Sequence, residues 1–312
     1  MSDRFASPPI AIVAIVVGVL GSGCFFPRVI VWNTGELVSP TDPAPTTPSE
    51  TRVEGAELVA TWVGHATTLI QIHDKFILTD PVFTHAVGQV SPRLVEPGIV
   101  PERLPPIDAV IISHLHFDHL SVGTLELIED QVRMALVPSQ GLAYLPNLDF
   151  PAQDLRTWDR WEAEGLRITS VPVDHAGGRL GLDAAFSYRG FTGYIIEYRD
   201  LTVFFGGDSA YDRERNLAIA RRFPDIDLAL IPIAPITPRS MMKPNHMNPE
   251  EALQAFEDLE ADQMVPIHFD TFINSYDDPG DALRLLREGM ADRELTEEQV
   301  AILRHGEQRR FR

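Results

Sequence analysis

The sequence is poor in several things, and each shortage excludes something. It has one cysteine, Cys24, so neither an internal disulfide nor a cysteine-built zinc site can form. Basic side chains are scarce, with 26 Lys+Arg against 45 Asp+Glu and a formal charge of −19. A nucleic-acid partner needs a basic footprint to displace counterions, and this balance argues against one. Lys75 and Lys243 are the only lysines, a bias of composition rather than of chemistry. Long apolar runs are missing too: Ile10 to Leu20 spans 11 residues, whereas crossing the hydrocarbon of a bilayer takes about 20. No G-X-Y or heptad period runs through the chain, which removes collagen-like and coiled-coil classes. What is present is ordinary for a globular protein: 312 residues, 44% of them hydrophobic, enough for one large or two smaller domains.

The amino terminus differs from the rest. Arg4 stands in a short polar head, the apolar run follows, and Gly21-Ser22-Gly23 leads into Cys24. The length fits a signal-peptide core of roughly 7–15 residues. Small residues before the sole cysteine resemble a bacterial lipobox, in which Cys24 would be lipidated and become the mature terminus. That would place the chain in the bacterial cell envelope, lipid-anchored on the periplasmic side, and Phe25, lacking the aspartate-type inner-membrane signal, points towards the outer membrane. An uncleaved N-terminal anchor is the alternative. Ser39 to Glu50 reads SPTDPAPTTPSE, too polar and proline-rich to pack a core, and is expected to be a tether. The expected organisation is a signal or anchor over 1–24, a Pro/Thr-rich linker over 25–52 and one domain over 53–312.

Within that domain short β-rich runs come first. Leu58–Val63, Thr68–Ile72 and Phe76–Leu78 are separated by polar or glycine breaks, and Ala109–Ile112 is continuously apolar, as for a strand buried on both faces. Further strands are expected at Leu166–Val171, Tyr194–Tyr198, Val203–Phe205, Leu228–Ile231 and Met264–Ile267. Asn248-Pro249-Glu250-Glu251 supplies a cap, a first-turn proline and a third-position glutamate before a helix over Ala252–Leu259. Thr296-Glu297-Glu298-Gln299 has the form of a second capping box. The pattern is that of a layered α/β domain.

The densest chemistry is Ser113-His114-Leu115-His116-Phe117-Asp118-His119, directly after the run Ala109–Ile112. In an extended segment alternate side chains point the same way, so His114 and His116 can grip one cation. A turn would then bring Asp118 and His119 to a second. Imidazole and carboxylate together suit zinc with open positions, as in catalytic sites. His175, Asp208 and His268 each stand where an expected strand runs out into a loop, the usual place for functional side chains, and they are the candidates to complete a two-metal set.

In these residues the sequence resembles the metallo-β-lactamase superfamily, and within it the N-acylphosphatidylethanolamine-hydrolysing phospholipase D family. The segments that carry the resemblance are TWVGHATTLI, LTDPVF, LPPIDAVIISHLHFDHL, FFGGDSAYD, HMNPEEA, PIHFDTF and LRHGEQR. It implies an αββα sandwich of two mixed sheets with helices on both outer faces. It implies two Zn²⁺, one held by His114, His116 and His175, the other by Asp118, His119 and His268, with Asp208 bridging. Two such ions about 3.5–4 Å apart can share a water and lower its pKa, and the bridging hydroxide would attack phosphorus. Asp118 is expected also to orient that hydroxide, and His246 to serve the leaving group. Asp80 is expected to hold a ligating histidine, a common supporting arrangement. His65 is expected to be structural, and His73, His85 and His305 receive no role.

One segment departs from that family. Between His175 and Asp208 its members carry a tryptophan-containing stretch close to WGSW, where this chain has Leu182–Gly190, and lipid specificity is the property this touches. The expected activity is therefore a zinc-dependent phosphodiesterase acting on N-acylphosphatidylethanolamine-like phospholipids. The alternatives are another hydrolase of the fold, either a sugar-phosphate lactonase or a soluble phosphodiesterase, and a non-catalytic metal-binding lipoprotein. Implied partners are a phospholipid or other small phosphodiester and a membrane reached through the lipid anchor; a homodimer is left open.

Overall fold

The period-2 alternation of apolar side chains along the first strands decides how the chain layers. In Leu58–Gly64 the side chains of Leu58, Ala60 and Trp62 join one buried cluster, and that of Val63 joins a second. Phe76 and Leu78 likewise oppose Ile77, and Val110 and Ile112 oppose Ala109 and Ile111. A strand with two apolar faces must be covered on both sides. The larger cluster fills the space between two sheets and continues beneath helices that cover the second, and the smaller lies beneath a helix and loops on the outer face of the first.

The computed structural model describes residues 39–87, 91–176, 178–179 and 190–312. Its strands are β1 (Leu58–Gly64), β2 (Thr67–Ile72), β3 (Lys75–Thr79), the short pair β4 (Ala86–Val87) and β5 (Ser91–Pro92), and β6 (Ala109–Ile111). After helix α1 (Val122–Leu127) come β7 (Ala135–Pro138), β8 (Ala152–Leu155), β9 (Arg160–Ala163), β10 (Leu166–Val171), β11 (Gly193–Tyr198) and β12 (Leu201–Phe205). The rest alternates: α2 (Arg213–Arg222), β13 (Leu228–Pro232), α3 (Arg239–Met242), α4 (Pro249–Asp258), β14 (Gln263–Ile267), α5 (Asp281–Asp292) and β15 (Gln308–Arg310). One sheet has the order β15-β1-β2-β3-β6-β7-β8, the other β14-β13-β12-β11-β10-β9. Both are mixed: β3-β6-β7-β8 and β12-β13-β14 are parallel, and the remaining neighbours antiparallel. Leu253 and Phe256 of α4 and Leu286 of α5 are buried in the larger cluster, beside residues of β13 and β14. The result is the expected αββα sandwich.

Local chemistry explains where elements begin. Asn248 caps α4, its Oδ1 accepting from Glu251 N at 2.9 Å while Glu251 Oε2 accepts from Asn248 N at 3.3 Å. The same reciprocal bonds form between Thr296 and Gln299, yet no helix follows. Val300 instead makes a bridge to Met264 of β14, so the tertiary pairing ends the segment after one turn. Every strand expected from the sequence is present, with ends shifted by at most two residues. The strands not expected include β8 and β9, edge segments whose polar, half-exposed pattern carries no apolar signal.

The described part of the linker lies against the domain. Residues 41–51 run along the domain: Asp42 N donates to Leu94 O at 2.9 Å and Thr46 Oγ1 to His305 O at 2.9 Å, and Thr51 Oγ1 donates to Arg103 O at 2.8 Å. Proline removes donors from such a stretch, but threonine hydroxyls and the remaining amides still find carbonyls on the surface. Cys24 and the segment from Leu182 to Arg189 lie outside the described residues. Among the described residues, no helix is long and apolar enough to cross a membrane.

Candidate metal centre

Strand direction gathers the site. In the first sheet β1, β3 and β6 run the same way, and in the second β10, β12 and β14 do. Their carboxyl ends deliver, in turn, His65, Asp80, the His114–His119 loop, His175, Asp208 and His268. Ligand sites of layered α/β folds form at such strand ends, where loops are free of the ladder.

The donor atoms fall into two groups. His116 Nδ1 lies 2.9 Å from His114 Nε2 and 3.3 Å from His175 Nε2. In the second group His119 Nε2 and His268 Nε2 are 3.2 Å apart, with Asp118 Oδ2 at 3.7 and 3.8 Å from them. Asp208 Oδ2 stands between the groups, 3.1 Å from His268 Nε2, 3.4 Å from His119 Nε2 and 3.9 Å from His114 Nε2. All seven residues expected as ligands are thus brought together. His246 joins them, with Nδ1 3.5 Å from Asp208 Oδ2.

Outer contacts fix which nitrogen faces inward. His119 Nδ1 is 2.6 Å from Asp80 Oδ2, and a carboxylate accepts only, so the proton sits on Nδ1 and the Nε2 lone pair points into the site. His175 Nδ1 donates to Asn245 O at 2.9 Å with the same consequence. Asp80 also accepts from Ser113 N at 2.6 Å and from Ser113 Oγ at 2.5 Å, and that hydroxyl is 3.0 Å from His114 Nδ1. Gly207 permits this approach. Its φ is +56° and a Cβ there would lie 2.3 Å from Ser113 Cβ, so only glycine fits.

Burial sets the charge states. It is the largest influence on His114 and His175, and with neighbouring imidazoles it holds both well below the ordinary histidine value. Burial also lowers His116, and brings His246 to about 4 and His65 to about 3. For His119 burial acts the same way but is outweighed by Asp208, Asp118 and Asp80, which raise it well above normal. Burial disfavours the Asp118 and Asp208 carboxylates, yet His119 and its neighbours hold both well below the usual range. Neutral imidazoles and ionised carboxylates are the forms that bind cations, so a cation entering the second group displaces the Nε2 proton that the surrounding carboxylates favour on His119. Among the described residues, buried Asp208 Oδ1, His246 Nδ1 and His268 Nδ1 have no hydrogen-bond partner. Such orphaned polar atoms are costly unless something else engages them.

Three contributors were not assigned from the sequence. Ser113 holds Asp80, a role its place at the end of β6 beside His114 could have suggested. Arg179 Nη1 donates to Leu115 O and Leu120 O at 3.0 and 2.7 Å, and its guanidinium lies 4.1 Å above the Phe117 ring, so it clamps the histidine-rich loop. His65, expected to be structural, has Nε2 3.1 Å from Asp118 Oδ2. His73 sits beside Asp200 at 3.9 Å and exposed His85 beside Glu96 at 3.4 Å.

Comparison with known proteins finds a family and related structures. A family model described as a β-lactamase superfamily domain matches residues 75–269. The chain is 29% identical over 256 residues to N-acyl-phosphatidylethanolamine-hydrolyzing phospholipase D 1 of Caenorhabditis elegans, covering 75% of this chain and 71% of that one. It is 29% identical over 215 residues to a metal-dependent hydrolase of an Exiguobacterium species, covering 68% and 86%. Among solved structures it is similar to a metallo hydrolase of Ignicoccus hospitalis, with TM-score 0.60, 20% identity and coverage of 81% and 97%. The chain belongs to the metallo-β-lactamase superfamily and is a metal-dependent hydrolase of that fold.

Proposed function

We propose that this hydrolase is a two-zinc phosphodiesterase of phospholipase D type, acting on N-acylphosphatidylethanolamine-like phospholipids. The observation that carries the reading is the spacing of the donor atoms. Zinc–nitrogen bonds of about 2.0–2.1 Å in tetrahedral geometry require ligand atoms about 3.3–3.4 Å apart. His114, His116 and His175 offer 2.9 and 3.3 Å. His119, His268 and Asp208 offer 3.1 to 3.4 Å, with Asp118 slightly further off. His114, His116 and His175 would hold one ion, Asp118, His119 and His268 the other, and Asp208 both.

When bound, such ions would polarise a phosphoryl oxygen and acidify water. The residues of the chain supply the rest. Asp118, whose side chain is 21% exposed, can accept a hydrogen bond from the attacking water. Water adds to phosphorus, the bond from phosphorus to the leaving alcohol breaks, and the proton that the water gives up passes to that alcohol oxygen. His246 is 16% exposed at the same rim. With its pKa lowered to about 4 by burial, its ring is neutral near pH 7, so it serves the leaving oxygen as a hydrogen-bond donor rather than as a charged acid. Arg239 positions it, donating from Nη1 to His246 O at 2.8 Å while pairing with Glu251. Similarity to the Caenorhabditis elegans enzyme supports the lipid substrate.

The test is incubation of the zinc-loaded chain with N-acylphosphatidylethanolamine and with phosphatidylethanolamine, assayed for phosphatidic acid. Release from the first supports the reading. Release from neither transfers the proposal to a soluble phosphodiester or a lactone.

The membrane setting is a second part of the proposal. A chain of charge −19 is repelled by anionic bilayers, so a phospholipid substrate calls for a tether, and a lipidated Cys24 in the cell envelope would provide it. Cys24→Ala should move the protein from the membrane fraction to the soluble one; unchanged attachment would remove the anchor. The same charge argues against a nucleic-acid partner.

A further inference from the structure

The outermost motifs of the domain, around Gly64-His65 and His305-Gly306, supply no ligand in the reading above, yet they meet behind Asp118. His65 adopts φ +54°, a left-handed conformation that is strained for a residue with a side chain and persists only where its surroundings enforce it. Those surroundings occupy each of its backbone groups. Its N–H donates to Thr271 Oγ1 at 2.7 Å, and its carbonyl accepts from Trp62 Nε1 and from His268 N, both at 2.9 Å. The Thr271 hydroxyl donates to Phe269 O at 3.0 Å, so its 2.9 Å contact with His305 Nε2 is one it accepts. Trp62 stacks on Phe269 at 4.5 Å and lies tilted against His305 at 4.3 Å. Gly64 leaves room for that ring, since a Cβ there would lie 2.7 Å from His305 Cδ2.

With its backbone fixed, the ring has one polar outlet toward the site: Nε2, 3.1 Å from Asp118 Oδ2. A carboxylate cannot donate, so the proton belongs to Nε2, and that nitrogen has no lone pair left for a cation. We propose that His65 is a positioning residue, whose Nε2–H fixes the Asp118 carboxylate in the second donor group from a frame built by Trp62, Thr271 and His305. The proposal rests on the two-cation reading, and the experiment separates the two.

Zinc affinities are measured on the metal-free full chain by chelator competition, for wild type and for His65→Ala, His65→Gln and Thr271→Val, with circular dichroism to show folding. Loss of a supporting hydrogen bond weakens a metal site about 10–100-fold. His65→Ala should therefore bind the first zinc as wild type does and the second about 10–100-fold more weakly. His65→Gln restores an N–H donor and should recover most of that loss. Thr271→Val should weaken the same zinc by a smaller factor, and it carries the test if His65→Ala does not fold. Unchanged second affinity in the folded variants overturns the proposal. Equal loss in His65→Ala and His65→Gln overturns it too, by making His65 a ligand. A wild-type chain that binds fewer than two zincs fails at the earlier step, removing the two-cation reading and this role with it.

Discussion

Asp80 Oδ2 and His119 Nδ1 lie 2.6 Å apart with both side chains wholly buried. That contact chooses the tautomer of His119 and turns its Nε2 toward Asp118, Asp208 and His268. Asp80→Asn keeps the shape but removes the charge, and an amide can also present its N–H₂ to the ring. The expected outcome is metal affinity or activity about 10–100-fold lower, with the fold retained, measured by zinc competition beside circular dichroism. Wild-type affinity in the folded variant would contradict the role.

Gly207 tests packing at the same place. Because its φ is positive and a Cβ would collide with Ser113, Gly207→Ala should destabilise the domain by at least about 1–3 kcal/mol from backbone strain alone. Urea unfolding measures it. A midpoint within error of wild type would mean that Ser113 and the Asp208 loop can move apart at little cost.

His305 gives a pH signature that does not depend on the metal ligands. Burial, with the nearby Arg93 charge adding to it, lowers its pKa from 6.5 to about 3. Above pH 6.5 the ring is neutral whether folded or unfolded and contributes no pH dependence. Between about 6.5 and 3 the unfolded chain binds a proton that the folded one refuses, so stability falls as pH falls, by up to about 1.4 kcal/mol per pH unit. His305→Gln can keep a donor for Thr271 without titrating. Metal-free wild type should lose stability faster than His305→Gln from pH 6 to pH 4.5; parallel unfolding curves would contradict this.

Much of this protein is legible in its sequence because the decisive signals are local. Ala109–Ile111 is continuously apolar and runs straight into the His114–His119 loop, so strand, turn and donors can be placed together. His175, Asp208 and His268 declare themselves by ending apolar runs. What stays hidden depends on long-range contacts. His65 meets Asp118 across 53 positions and Thr271 across 206, and nothing beside it in sequence signals either meeting. Thr296–Gln299 shows the converse: its local capping chemistry forms as written, but pairing of Val300 with Met264 overrides the helix it announces. Residues 41–51 look unable to pack because they have few apolar side chains, yet hydrogen bonds to Leu94, His305 and Arg103 lay them along the domain.

The most direct measurement is zinc titration of the metal-free full chain, followed in the same sample by phosphatidic acid release from N-acylphosphatidylethanolamine. Two zincs per chain are expected, with turnover rising as the second binds, and His116→Ala should lose one zinc and the turnover together. Fewer than two zincs in wild type, or a His116→Ala chain that hydrolyses the lipid unimpaired, would contradict a two-metal phosphodiesterase.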